Sequence, residues 1–383
     1  MSIGNRIYAE LRGDRTIWMI VAILAMLSIL SVYSSTGSIA FKERGGNTEF
    51  YLFKHFIFIC GGLLLTYICY VLHYTQYSKL APLLLLCSIP LLVYTIAFGV
   101  EVNQARRWIS VPFVGLTFQT SDFAKIALII YVARAISAKQ EYIKDFNSAF
   151  LPIIVPILII VSLIAPADLS TAMLLFLTCL IMMFIGRVDV KYIVLLLFLG
   201  IVVFACLIII GRFWPEVVRV ETWITRMNDF FHNMEGGFQI QQAKIAIAEG
   251  EWFGVGPGNS LQRNYLPAPY SDFIYAIICE EYGLLGGFLI IGLYVMLFFR
   301  CVRIVTRSPK AFGSILVLGL GLYLVVQALA NIAVSVHLVP VTGLTLPMVS
   351  MGGTSTIFSC IAFGMILSVS RYIETTDQQV TQE

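Results

Sequence analysis

Ten stretches of this chain are runs of apolar residues separated by polar connections, at roughly 17–36, 53–73, 80–100, 122–136, 149–165, 170–186, 190–211, 273–299, 313–336 and 355–370. A helix rises ~1.5 Å per residue, so runs of about 20 residues match a hydrocarbon core ~30 Å thick. None shows the two-residue alternation of a membrane β-strand. The pattern therefore predicts an all-α integral membrane protein with about ten transmembrane helices, built as a single polytopic domain over residues 1–383. No small-residue cleavage pattern follows the first run, which is expected to remain as the first span. An even number of spans puts both termini on one side.

Only one connection is long, from about Arg212 to Ser271 between the seventh and eighth spans, and a connection of this length is expected to carry part of a site. Inside it, Gly236-Gly237 precedes a short helical pattern over Phe238–Ala248. Gln239 and Gln242 lie toward one side and Phe238, Ile245 and Trp252 toward another, as in a helix at the membrane interface. The run Gly254-Val255-Gly256-Pro257-Gly258-Asn259-Ser260 has no strand before it and no phosphate-loop lysine. Its glycines are read as positive-φ turns or as places where backbone approaches closely.

Composition agrees with a membrane protein: 59% of the residues are hydrophobic and 12% charged, against ~25% charged in soluble domains. A net charge of +3, thinly dispersed, excludes nucleic acid as the expected partner. The 8 cysteines sit in or at the ends of apolar runs without a Cys-x-x-Cys pair, and are read as small apolar packers. With the N-terminus inside, the inner connections collect Arg6, Arg12, Arg15, Lys79, Arg134, Lys139, Lys144, Arg187, Lys191, Arg300, Arg303, Arg307, Lys310 and Arg371. The short outer ones hold only Lys42, Arg44, Lys54, Arg106 and Arg107. This asymmetry makes both termini cytoplasmic and the long 212–271 loop extracellular.

Four polar clusters need a reason in so apolar a chain. Arg106 and Arg107 lie outside against the orientation rule, which suits an anionic ligand. Beyond them Asp122 and Lys125, one helical turn apart, form either a structural pair or a ligand contact. Asp168 or Ser170 is read as the cap of the next helix. In the third cluster Asp272 opens a run of about 28 residues that ends at Arg300. Glu280 follows within roughly 80° of it around the helix and Glu281 almost opposite. A carboxylate at a membrane helix mouth is kept for function more readily than for stability. The fourth cluster runs through Asn331, His337, Thr342-Gly343-Leu344-Thr345-Leu346-Pro347, Ser350 and Gly352-Gly353. Such irregular backbone persists at membrane depth only against protein or a polar cavity.

Taken together, Gly258-Asn259-Ser260 with Gln262, Leu266-Pro267 before Asp272-Phe273-Ile274, Glu280-Glu281-Tyr282-Gly283, and Thr342 to Pro347 before Ser350 and Gly352-Gly353 resemble the SEDS family of cell-wall polymerases. The Gly-Asn-Ser turn is closer to the FtsW branch than to the RodA branch. Two places depart from the family pattern: Gln119-Thr120-Ser121-Asp122 stands for Gln-Pro-Ser-Glu, and Met351 and Thr354 stand for Tyr and Ser.

The resemblance implies a peptidoglycan glycosyltransferase that polymerises lipid II on the outer face of the bacterial cytoplasmic membrane, in division or elongation. The residue matching its essential acid is Asp272. Lipid II carries its own diphosphate leaving group, so the chemistry asks for a base on the acceptor hydroxyl and for charge to stabilise the diphosphate. Asp272 suits the first. Arg106, Arg107 and Lys125, or a divalent cation such as magnesium or manganese, suit the second. Asp122, Gln239, Gln242, Asn259, Ser260, Ser350, Gly352 and Gly353 complete the expected substrate-binding set, with Glu280, Glu281 and Asp168 in support. The expected partner is a class B penicillin-binding protein among other division or elongation proteins. A lipid II flippase or a division scaffold is the alternative.

Overall fold

The computed structural model describes residues 12–37, 48–102, 105–111, 116–214, 218–233 and 236–382. Arg6, Lys42 and Arg44 of the orientation count lie outside the described residues. All ten apolar runs are helices. In chain order they are α1 Arg15–Ser35, α2 Thr48–Val71, α3 Thr75–Phe98, α4 Thr120–Ala138, α5 Leu151–Ile164, α6 Leu169–Ile185 and α7 Val190–Phe213. Then come α8 Val220–His232 and α9 Phe238–Glu249 in the long connection, followed by α10 Ile274–Arg307, α11 Ala311–Ser335 and α12 Thr354–Gln382. Among the described residues 7 helices are long and apolar enough to cross a bilayer, and α5 and α6 are shorter apolar helices. The chain is a multi-pass membrane protein.

The core is centred on α4 and α11. α4 packs against α3, α5, α6, α11 and α12, which is why Ala124, Leu128, Ile129, Val132 and Ala133 are all buried. α7 is the opposite case, burying only Leu196, Leu207 and Gly211. Val194, Leu197, Phe198, Ile201 and Ile209 are exposed, as suits a helix bordering lipid, where no hydrophobic force drives side chains inward.

A small antiparallel sheet, absent from the sequence expectation, joins α3 to α4. Its strands are β1 Val100–Val102, β2 Ala105–Val111 and β3 Leu116–Gln119, with Trp108 opposite Gln119. Strands this short carry too few residues for a two-residue period to stand out from the flanking spans. The sheet matters because β2 carries Arg106 and Arg107.

The expected eighth span begins at Ile274 and runs to Arg307, but it is broken at Gly283, where φ is 71° and ψ is −175°. The segment after α9 fills the break. Val255 N–H and Gly256 N–H donate to the carbonyls of Glu280 and Glu281, at 2.9 and 3.0 Å, and Leu284 N–H donates to Glu251 O at 2.8 Å. Each half-helix thus finds partners for the ends it exposes, as apolar surroundings require. A methyl group on Gly283 would stand 2.3 Å from the Trp252 carbonyl oxygen. The glycine run therefore serves close approach of backbone to backbone within the chain.

α9 sits on the same surface. Its Ile240, Ala243 and Ala246 pack on Leu266, Phe273, Ala276, Ile277 and Val334, so this helix is seated on protein while Phe238 and Ile245 remain exposed.

Candidate functional site

Asp272 lies on the turn before α10 without capping that helix: Phe273 occupies the N-cap position, and no side chain bonds the helix end. Its main chain is held firmly. The Asn331 amide donates to Asp272 O at 2.8 Å and to Leu344 O at 2.7 Å. Ser350 Oγ donates to Ser271 O at 2.6 Å and accepts from Leu346 N–H at 2.8 Å, and Met351 N–H reaches Tyr270 O at 2.9 Å. The irregular connection after α11 is thereby laced to the turn that carries Asp272.

The carboxylate itself is left open. Oδ1 accepts from Ser271 Oγ at 2.9 Å, and Oδ2 accepts no hydrogen bond among the described residues. Gly343 leaves the space beside Oδ2 clear, since a methyl group there would stand 3.6 Å from that oxygen. Burial raises the Asp272 pKa above the ordinary aspartate value. The Ser271 hydroxyl and the Arg107 and Arg226 guanidiniums pull the other way, and Asp168 adds to the rise.

The two guanidiniums that favour the ionised form of this carboxylate come from different elements. Arg107 on β2 bonds Asp168 Oδ2 from Nη1 at 3.2 Å and Ala167 O from Nε at 2.9 Å. Asp168 caps α6 through Thr171 N–H at 3.1 Å, so it does what its position before a helix predicts and also orients Arg107. Arg226 on α8 donates to Thr342 O at 3.3 Å. Nothing in the sequence reading singled Arg226 out, although a cation in an outer loop was the available signal. Arg106 and Arg107 also edge a cavity whose other walls include Leu92, Ile96, Leu163 and Ile164, with Thr120, Ser121 and Asp168 beside them. Its lining combines apolar side chains with hydroxyls, two guanidiniums and one carboxylate.

The remaining expected residues are arranged differently. Lys125 Nζ bonds Asp122 Oδ1 at 2.6 Å with both side chains buried, and stands 5.2 Å from the Tyr323 ring centre. Its charge is met inside the bundle. Ser260 Oγ donates to Glu280 Oε2, while Glu280 Oε1 accepts from Leu261 N–H at 2.7 Å and Gln262 N–H at 3.2 Å. Ser34 Oγ donates to Glu281. Asn259 is exposed and donates to Val255 O at 3.1 Å. Gln239 and Gln242 are half-buried on α9, and Gly352 and Gly353 are half-buried at the start of α12.

Among the described residues no three His, Cys, Asp or Glu side chains come together. The two carboxylates at the mouth, Asp168 and Asp272, have guanidiniums as their charged neighbours.

A family model for FtsW, RodA and SpoVE, described as "Cell cycle protein", matches residues 14–375. The probable peptidoglycan glycosyltransferase FtsW of Nitrosococcus halophilus is 32% identical over 360 residues, covering 92% of this chain and 91% of that protein. Stage V sporulation protein E of Bacillus subtilis is 31% identical over 364 residues, covering 94% and 97%. Among solved structures, the rod shape determining protein RodA of Thermus thermophilus aligns with a TM-score of 0.67 at 22% identity, covering 95% of this chain and 98% of that one. A chain from a peptidoglycan synthase complex that coordinates polymerization and crosslinking aligns with a TM-score of 0.71 at 22% identity, covering 94% and 98%. These structures share the fold.

Proposed function

The chain belongs to the FtsW, RodA and SpoVE family of cell cycle proteins, and from that premise we propose that it is a peptidoglycan glycosyltransferase of the FtsW kind, polymerising lipid II on the outer face of the cytoplasmic membrane. The observation that carries this reading is the open Asp272 carboxylate, fixed through its main chain and unused by the helix it precedes.

In this reading Asp272 takes the proton from the acceptor sugar hydroxyl as that oxygen bonds to the anomeric carbon of the donor. The bond from that carbon to the diphosphate breaks, and the diphosphate leaves with the electron pair. One base and direct displacement invert the anomeric centre, without the second catalytic carboxylate of a glycosidase. Arg107, with Arg106 beside it, stabilises the departing charge. The half-apolar cavity suits a substrate that is lipid at one end and anionic at the other. Outer-face placement is supported by the distribution of basic residues.

A class B penicillin-binding protein is the proposed partner, because a glycan strand must still be crosslinked. The likeness in fold to a chain of a polymerising and crosslinking complex supports it. Purified chain given labelled lipid II in detergent, where no two sides exist, is expected to make glycan when that partner is present. A flippase or a scaffold makes none, and absence of polymer with the partner present sinks the proposal.

A further inference from the structure

Arg226 stands apart from the other cations at the outer end. Lys125 is neutralised by Asp122, and Arg107 is shared with Asp168. Arg226 makes no ion pair among the described residues, and its one hydrogen bond there goes to a neutral carbonyl, Thr342 O, at 3.3 Å. A guanidinium has five N–H donors, so most of its fork is unused. The side chain is half-buried; Arg107 and Arg219 add like charge to the effect of burial, and Asp168 and Asp272 offset it in part. With one hydrogen bond made, to a neutral carbonyl, the fork has donors to spare for an anionic oxygen.

The position of α8 shows where that anion comes from. Ile224, Met227 and Phe231 form an exposed apolar stripe on this helix, and Arg226 lies about 160° around the axis from Ile224. Trp223 stacks on Phe204 of α7, with ring centres 5.8 Å apart, and Phe230 meets His337 after α11 at 5.3 Å. α8 is thus pinned across the outer end of the bundle. An amphipathic helix with such a stripe lies at the boundary between acyl chains and headgroups, the depth at which a lipid's phosphates sit. Thr342, which Arg226 holds, precedes Gly343, the residue beside Asp272 Oδ2.

We propose that Arg226 is a diphosphate-binding residue, the second guanidinium of a clamp whose first is Arg107, closing on a polyprenyl diphosphate from the side of the long loop. The inference rests on the glycosyl-transfer reading for its substrate class, but its test does not need turnover.

The test is binding of inorganic pyrophosphate and of farnesyl diphosphate to the detergent-solubilised full chain, with inorganic phosphate for comparison. Arg226→Gln is expected to weaken both diphosphates by roughly tenfold or more, the scale of charge-assisted hydrogen bonds, at an unchanged melting temperature. Arg212→Gln, which removes an exposed charge at the end of α7, is expected to change nothing. Arg226→Lys keeps the charge without the fork and is expected to fall between Arg226→Gln and the parent. It also carries the test if Arg226→Gln does not fold. Parental affinity in whichever of these variants folds overturns the proposal, as does an equal loss in Arg212→Gln. Polymerisation is scored separately. A parent that makes no glycan but binds pyrophosphate through Arg226 removes the glycosyl-transfer reading and leaves this site standing. A parent that polymerises, with KM for lipid II and pyrophosphate affinity both untouched by Arg226→Gln, removes this site alone.

Discussion

Asp272 and Glu280 are carboxylates eight positions apart at the N-terminal end of one helix, and the protein treats them oppositely. Glu280 is 1% exposed and has both oxygens bonded, to Ser260 Oγ and to two successive main-chain N–H groups. Asp272 is half-buried and offers one oxygen to nothing among the described residues. The lesson is that a buried acid in a membrane protein is read by what its oxygens do. A carboxylate wrapped in N–H donors fastens a loop, and one that is held by its main chain and left open is available for chemistry. Asp122 is buried with Oδ1 bonded to Lys125 and Oδ2 without a partner among the described residues, so charge pairing and not full hydrogen bonding settles it inside the bundle, and Arg107 falls between the two classes.

The largest effect expected from this contrast is at Asp272. Asp272→Asn keeps the shape and removes the base, so lipid II polymerisation by the purified protein with its partner should fall roughly 10²–10⁴-fold while lipid II still binds. A folded variant working at the parental rate would end the assignment.

Glu280→Ala should do the reverse. It strips acceptors from Ser260 Oγ, Leu261 N–H and Gln262 N–H, and should lower the stability of the detergent-solubilised protein by about 2 kcal/mol or more. Turnover per folded molecule should stay within about threefold, because this carboxylate takes no part in the chemistry. A parental melting temperature would refute the fastening role.

The pH profile sharpens the comparison. A base works when ionised, and burial raises the Asp272 pKa. Activity is therefore full at higher pH and is lost as pH falls, with the acid limb lying above the ordinary aspartate range. Arg107→Ala removes a cation that favours the ionised form and leaves Asp168 unneutralised, both of which move the limb further up. A limb moving down, or not at all, would separate Arg107 from Asp272. The smallest effect belongs to Asn259→Ala. This exposed side chain makes one loop bond, to Val255 O, so stability should change by no more than about 0.5 kcal/mol. A large loss of lipid II affinity in that variant would show instead that Asn259 faces the substrate.

The spans and the mouth were legible in the sequence because their signals are local. A run of about 20 apolar residues is sufficient evidence for a membrane helix; all ten runs are helices, and among the described residues seven helices are long and apolar enough to cross a bilayer. Asp272 stood out because a carboxylate beside such a run needs a reason, and Asp168 ahead of α6 read correctly as a cap. The short strands were hidden by their length. α8 was missed because thirteen residues of mixed polarity in a long loop resemble the loop itself.

What only tertiary structure decided is which polar groups answer one another. Sequence spacing could pair Asp122 with Lys125, since both ride on one helix. It could not show that Glu280 is taken up by residues 260–262, that Asn331 grips the main chain of Asp272, or that Arg226 comes down beside Gly343. Those partners lie 18 to 116 positions apart. The glycine run shows the same division. Its composition announced turns and close approach, whereas the surface approached, the break in α10 at Gly283, exists only once the loop has folded onto it. Apolar spans are specified residue by residue through transfer to lipid. A polar site is specified by distance and direction between side chains, which the chain acquires only when its spans have packed.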